Sequence, residues 1–203
     1  VLASILDGAV RDRRLQSNPA REVKTPRKVR KQRAYLTHQQ VERLATASHY
    51  PDLVRFLAYT GLRWGEATGL TVADVDVSRR RLNISSNAVT VNGHVIVGTP
   101  KTHERRTVVY PAFLDGAMTG AIMLKRPDEL IFPAETGGYL RPGNSRSGWF
   151  AGACKRARLE DASDAAEART RGEGIRAIMP RVTPHDLRHT AASLAISAGA
   201  NVK

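Results

Sequence analysis

Three short stretches of this 203-residue sequence carry residue types and spacings that could do chemistry on an anion. The first is Thr183-Pro184-His185-Asp186-Leu187-Arg188-His189. Thr183 as N-cap, Pro184 at the first helical position and Asp186 completing a capping box predict the start of a helix. His185 then falls in the first turn and Arg188 lies three residues on, so both share a face. A helix start offers unpaired N–H groups and a positive dipole end, and an imidazole and a guanidinium aimed there could hold a phosphate. His185 could equally be a capping or packing residue only. His185 and His189 also form His-x-x-x-His, a spacing that can chelate a metal. Asp186 is better employed in the cap, however, and no further ligand cluster is evident, so neither metal nor cofactor is expected.

The second stretch is Tyr59-Thr60-Gly61-Leu62-Arg63-Trp64-Gly65-Glu66. Gly61 breaks one helix and Glu66 begins the next turn, which leaves Arg63 at a break where its side chain can be aimed inward. Glu66 can hold that guanidinium or the local backbone, and a purely structural Arg63–Glu66 pair fits the spacing as well. The third is Thr99-Pro100-Lys101-Thr102, between two strands. A lysine at a hairpin edge is ordinarily an exposed edge charge.

The elements that must position these residues follow from hydrophobic period and turn chemistry. Residues 1–15 have helical spacing and end in Arg11, Arg13 and Arg14. Ser17-Asn18-Pro19-Ala20 is a stop. Residues 21–33 hold seven basic groups, one acid and a proline with no apolar stripe, and read as an extended basic linker. A compact domain starts near Tyr35. Thr37 and Gln40 form a capping box ahead of Val41, Leu44 and Ala45. Pro51 opens a second helix that buries Leu53, Val54, Leu57 and Ala58, and Gly61 ends it. Residues 82–110 are β-branched, with Asn92-Gly93 as a hairpin turn, and predict an antiparallel sheet of about three strands. Helical character returns at 111–124, 146–158 and 183–198. Residues 159–180 are acidic and poor in apolar groups, and are expected to form a mobile loop or frayed helix. The fold class is α+β, mainly α.

Composition narrows the partners. With 41% hydrophobic residues the chain is not disordered as a whole. Its net charge of +13 and pI near 10.7 favour a polyanion, nucleic acid before anionic membrane. One cysteine, Cys154, allows neither an internal disulfide nor a cysteine cage, which fits a reducing cytoplasm. No apolar run approaches the ~20 residues of a membrane span. The first residue is Val1, and the chain is expected to be part of a longer protein.

Taken together, YTGLRWGEATGL, TPKTHERRTVVYP and TPHDLRHTAASLAISAGA resemble, in order, the first arginine box, the lysine hairpin and the second box of the tyrosine recombinases of the phage-integrase type. ILDGAVRDRRLQSNPA resembles the last helix of the core-binding domain that precedes the catalytic domain. The resemblance implies three segments: 1–20 from that preceding domain, 21–33 as basic linker, and 34–203 as catalytic domain. It implies cleavage of one DNA strand by a tyrosine, giving a 3′-phosphotyrosine and a free 5′-hydroxyl. Arg63 and Arg188 would neutralise the transition state through bidentate contacts. Lys101 would protonate the leaving oxygen, and His185 would assist deprotonation of the tyrosine. Glu66 and His189 would support. Lys24, Arg27, Lys28, Arg30, Lys31 and Arg33 would grip duplex DNA. The implied partners are double-stranded attachment sites and further protomers in a tetrameric synapse, without a membrane, in a bacterial cytoplasm at the nucleoid.

One departure matters. The family's nucleophilic tyrosine follows the second box, whereas Tyr35, Tyr50, Tyr59, Tyr110 and Tyr139 all precede it. No nucleophile is therefore assigned, and the chain by itself is expected to be inactive. The alternative is a non-catalytic DNA-binding module in which the basic linker and net charge do everything.

Overall fold

A computed structural model describes residues 2–24, 26, 33–99, 105–141, 143, 148–174 and 177–201. The chain divides into two compact units, Val1–Gln32 and Arg33–Lys203. In the first, α1 spans Leu2–Arg11 and buries no residue; Leu2 and Ile5 are exposed. Asn18 ties the following turn back to it, donating to the Ala3 carbonyl at 2.8 Å and to Asp7 at 2.6 Å.

The second unit opens with α2 (His38–Thr46), capped as expected: Thr37 Oγ1 accepts from the Gln40 N–H, and the Gln40 side chain accepts from the Thr37 N–H. Next comes α3 (Pro51–Thr60), with Pro51 in its first turn and Leu53, Val54, Leu57 and Ala58 buried. Gly61 ends α3 with φ +66°, a left-handed conformation that glycine adopts without strain. A short α4 (Trp64–Thr68) follows at once. Gly65 lets α4 lie against the sheet region: a Cβ there would stand 2.3 Å from Asn87 Oδ1 and 2.4 Å from the Ala88 carbonyl oxygen.

Five strands follow: β1 (Val75–Asp76), β2 (Arg81–Ile84), β3 (Asn87–Val91), β4 (His94–Gly98) and β5 (Arg106–Val109). The antiparallel three-stranded sheet is β1-β2-β5, with Ile84 facing Arg106 and Arg81 facing Val109. Strands β3 and β4 pair with each other as a separate hairpin. Asn92 (φ +48°) and Gly93 (φ +79°) make its turn with the left-handed pair that a two-residue hairpin requires. The sequence pattern located the β region but did not place this hairpin outside the sheet, nor β1 inside it. A two-residue strand carries too little alternation to be recognised.

Among the described residues three further α-helices follow: α5 (Asp115–Ile122), α6 (Trp149–Thr170) and α7 (Pro184–Ser197). Leu44, Leu57, Leu82, Met118, Phe150 and Leu187 meet in one core built from α2, α3, β2, α5, α6 and α7. The structure corrects the expectation of a mobile loop or frayed helix at 159–180: α6 runs on as a regular helix through Thr170. Two of its acids are not left to solvent. Asp161 is buried, pairs with Arg43 of α2 at 2.9 Å and accepts the Met179 N–H at 2.8 Å. Asp164 pairs with the same arginine at 2.5 Å. Alanine-rich composition supports the helix locally, and these contacts hold it. Among the described residues no helix is long and apolar enough to cross a membrane.

Candidate functional site

The break between α3 and α4 faces the first turns of α7. Packing of α7 on α3 brings Arg188 to the break, where its Nη1 donates to the Gly61 carbonyl at 2.6 Å. That carbonyl is one of the orphan acceptors at a helix end. A Cβ on Gly61 would lie 3.3 Å from Ala191 Cβ, so the glycine also allows the close approach of α7.

Arg63 is the N-cap of α4, with an extended backbone (φ −68°, ψ 152°) that turns the chain into the new helix. Glu66 closes this turn. Its carboxylate accepts the Arg63 N–H at 2.9 Å and Arg63 Nη1 at 2.7 Å. Arg106 of β5 adds a two-point contact to the same carboxylate, Nη1 at 3.0 Å and Nη2 at 2.7 Å. The Glu66 side chain has no exposure, while Arg63 and Arg106 keep about a third of theirs. Burial alone would push the Glu66 carboxyl up. Hydrogen bonds from Arg106 and from the backbone and side chain of Arg63 outweigh it and hold the carboxyl at about 2. Arg188 is lowered from the usual guanidinium value, first by burial and then by the positive charge of Arg63. Three guanidiniums thus gather around one carboxylate. Among the described residues, Nε and Nη2 of Arg63 donate to no group.

On α7 the capping box is present, with Asp186 accepting from the Thr183 N–H at 2.8 Å and hydroxyl at 2.7 Å. His185 is exposed in the first turn, and its ring lies edge-on to His189 with centroids 5.0 Å apart. Burial, then the charge of Arg33, then His185 lower the His189 imidazole pKa. Thr190 is buried and its hydroxyl accepts the Leu36 N–H at 3.2 Å, tying the approach to α2 onto α7.

The structure therefore brings Arg63, Glu66 and Arg188 together, and sets His185 and His189 side by side on the helix that carries Arg188. Arg33 stands in the electrostatic surroundings of His189. Lys24 is exposed in the first unit. Lys101, Arg27, Lys28, Arg30 and Lys31 lie outside the described residues. Sequence reasoning missed Arg106 and Thr190 as members of the site. The signal for Arg106 was the alternation of β5, which gives Arg106 and Val108 the half-buried positions and Thr107 and Val109 the exposed ones. What these groups can do is hold a tetrahedral, multiply charged oxyanion between fixed guanidinium donors.

Helices packed in this way around a small antiparallel sheet are the fold of tyrosine-recombinase catalytic domains. The chain belongs to the phage integrase family, whose model matches residues 34–203. It is 27% identical to an integrase of Mycobacterium phage D29, over all of this chain and 51% of that protein. Among solved structures it resembles the Tn1549 transposon integrase in complex with a circular intermediate DNA. The TM-score is 0.71 and the identity 20%, over 98% of this chain and 65% of that one. It also resembles a lambda integrase tetramer bound to a Holliday junction, with TM-score 0.64 and 15% identity, over 98% of this chain and 53% of that one. The chain spans about half the length of the curated relatives it matches.

Proposed function

We propose that residues 34–203 form the catalytic domain of a site-specific DNA recombinase that breaks and rejoins DNA through a 3′-phosphotyrosine. Residues 1–20 close the preceding core-binding domain, and 21–33 link the two. The observation that carries this reading is the convergence of Arg63 and Arg188 on one helix break, with donors of Arg63 uncommitted. A tyrosine Oη attacks the phosphorus, the bond from phosphorus to the 5′-oxygen breaks, and the 3′-phosphate remains on the tyrosine. Arg63 and Arg188 neutralise the non-bridging oxygens in the pentacoordinate transition state. Lys101 delivers the proton to the departing 5′-oxygen. His185 takes up or shares the tyrosine proton. Glu66 fixes Arg63, and His189 supports His185 through the edge-on ring contact. None of the five tyrosines of this chain is assigned as nucleophile, so the activity is that of the whole protein.

Lys24, Arg27, Lys28, Arg30, Lys31 and Arg33 track duplex phosphates. The assembled form is a tetramer on two attachment sites in the bacterial cytoplasm. The deciding experiment measures covalent protein–DNA adduct on a nicked attachment-site duplex. Arg188→Ala is expected to abolish adduct while DNA binding survives, a loss of at least about 100-fold for one transition-state donor. Unchanged cleavage in a folded Arg188→Ala protein would overturn the assignment. Binding without any cleavage by the full-length wild type would leave a DNA-binding module.

A further inference from the structure

Every acceptor position of Glu66 is taken. Oε1 receives Nη1 of Arg63 and Nη1 of Arg106; Oε2 receives the Arg63 N–H and Nη2 of Arg106. A carboxylate offers about four such positions. The division between the two arginines is unequal. Arg106, held on β5 opposite Ile84, spends both terminal nitrogens of its fork on Glu66. Arg63 spends only Nη1 of its side chain.

We propose that Arg106 is a positioning residue: it occupies half of the Glu66 carboxylate and so keeps Arg63 from laying its whole guanidinium on it. This rests on the recombinase reading, in which the remaining donors of Arg63 face the scissile phosphate. The cause is the cost of an open buried acceptor. A fully buried carboxylate that loses two hydrogen bonds draws in the nearest donors. Those donors are Nη2 and Nε of Arg63, whose Nη1 is already on the same carboxylate. Two-point capture would satisfy Glu66 and turn Arg63 away from the phosphate. Arg106 therefore acts on the reaction through Glu66 and Arg63, without contact to the reacting atoms. It also ties the β-sheet to the α3–α4 break, so the edge of β5 sets the aim of the first arginine.

The test uses full-length protein and compares wild type, Arg106→Gln and the double variant Arg106→Gln/Glu66→Gln. The readouts are single-turnover adduct formation on a nicked attachment-site duplex, DNA affinity and melting temperature. Arg106→Gln is expected to slow adduct formation about 100-fold, the scale of a misplaced reacting group, at unchanged DNA affinity. In the double variant the neutral amide at position 66 has no charge to capture Arg63. Its N–H can donate to the amide at position 106, and its carbonyl still accepts from Arg63. The rate is expected to recover about tenfold over the single variant. Arg106→Lys, which keeps the charge but lacks the planar two-nitrogen fork, is expected to fall between wild type and Arg106→Gln. It stands in for Arg106→Gln in both comparisons if that protein does not fold.

An active wild type whose folded double variant is no faster than the single overturns this proposal alone; it would mean that Arg106 meets the phosphate itself or serves folding only. A wild type that forms no adduct overturns the recombinase reading, and this proposal with it. A second readout is independent of catalysis. In Arg106→Gln the Glu66 carboxyl should titrate at higher pH, so acid unfolding should begin at higher pH than in wild type. No change in that onset would also overturn the proposal.

Discussion

Glu66 shows how one buried carboxylate can organise a cationic site. Three guanidiniums around one carboxylate repel, and Arg188 registers that repulsion as a lowered pKa after the effect of its own burial. A single negative charge, saturated by four hydrogen bonds, lets two of them stand together. The arrangement has a pH signature. The carboxyl is held at about 2 in the fold against an ordinary value of 4.5. A depressed carboxyl contributes stability that is complete above the unfolded value and is lost as pH falls through the folded one. Between about pH 4.5 and 2 the wild type should lose about 3 kcal/mol from this group. Denaturant titrations across that window check it, and Glu66→Gln should remove that part of the slope. At neutral pH the same substitution should cost about 3 kcal/mol, since it leaves two half-buried guanidiniums without their anion.

Helix α6 and its neighbours carry the next level. Its second half, residues 159–170, has the composition of a solvated acidic stretch and behaves otherwise, because two of its acids meet one arginine of α2. Asp161 also accepts the Met179 N–H, so it joins three segments distant in sequence. Asp161→Ala should cost about 3 kcal/mol, because it strands a buried N–H and leaves Arg43 with one partner. Urea denaturation measures the loss. Hydrogen exchange should show faster opening of residues 160–170, with α3 and α7 little changed. Where an element obeyed a local rule it could be read directly: the capping boxes before α2 and α7, Pro51 at the start of α3, Gly61 at its end, Asn92-Gly93 in the hairpin. Where its identity rested on a partner far along the chain, as for the end of α6, composition misled; β1 was missed because two residues carry no pattern.

For the molecule as a whole the charge is unevenly placed. Residues 1–33 carry ten basic and three acidic groups, more than half of the net +13. The arginine site lies in the second unit, Arg33–Lys203, and binds through a few fixed donors, whereas all the basic groups of residues 1–33 except Arg33 belong to the first, so the two should make separable contributions to DNA binding. Each phosphate contact removed should lower the slope of log K against log salt by about 0.9. Replacing Lys24 and Arg33 by glutamine should therefore flatten the slope by about 2 and weaken binding alike on all sequences. Arg188→Ala should change the slope by no more than a single contact while ending cleavage. Binding isotherms at a series of salt concentrations distinguish the two cases.

By itself the sequence determined which residues are chemically able and which local structures present them. Thr183, Pro184 and Asp186 start a helix wherever they stand, Gly61 breaks one, and Arg63 is three residues from Glu66 whatever the fold. The order of the three motifs was enough to suggest the family. Tertiary structure alone decided that Arg188 reaches the Gly61 carbonyl, that Arg106 shares Glu66 with Arg63, and that Asp161 and Asp164 of α6 face Arg43. The reason is physical. Caps and turns are satisfied within a few residues, so their chemistry is written locally. A buried charge must find its partners through packing, and that partner can lie anywhere in the chain.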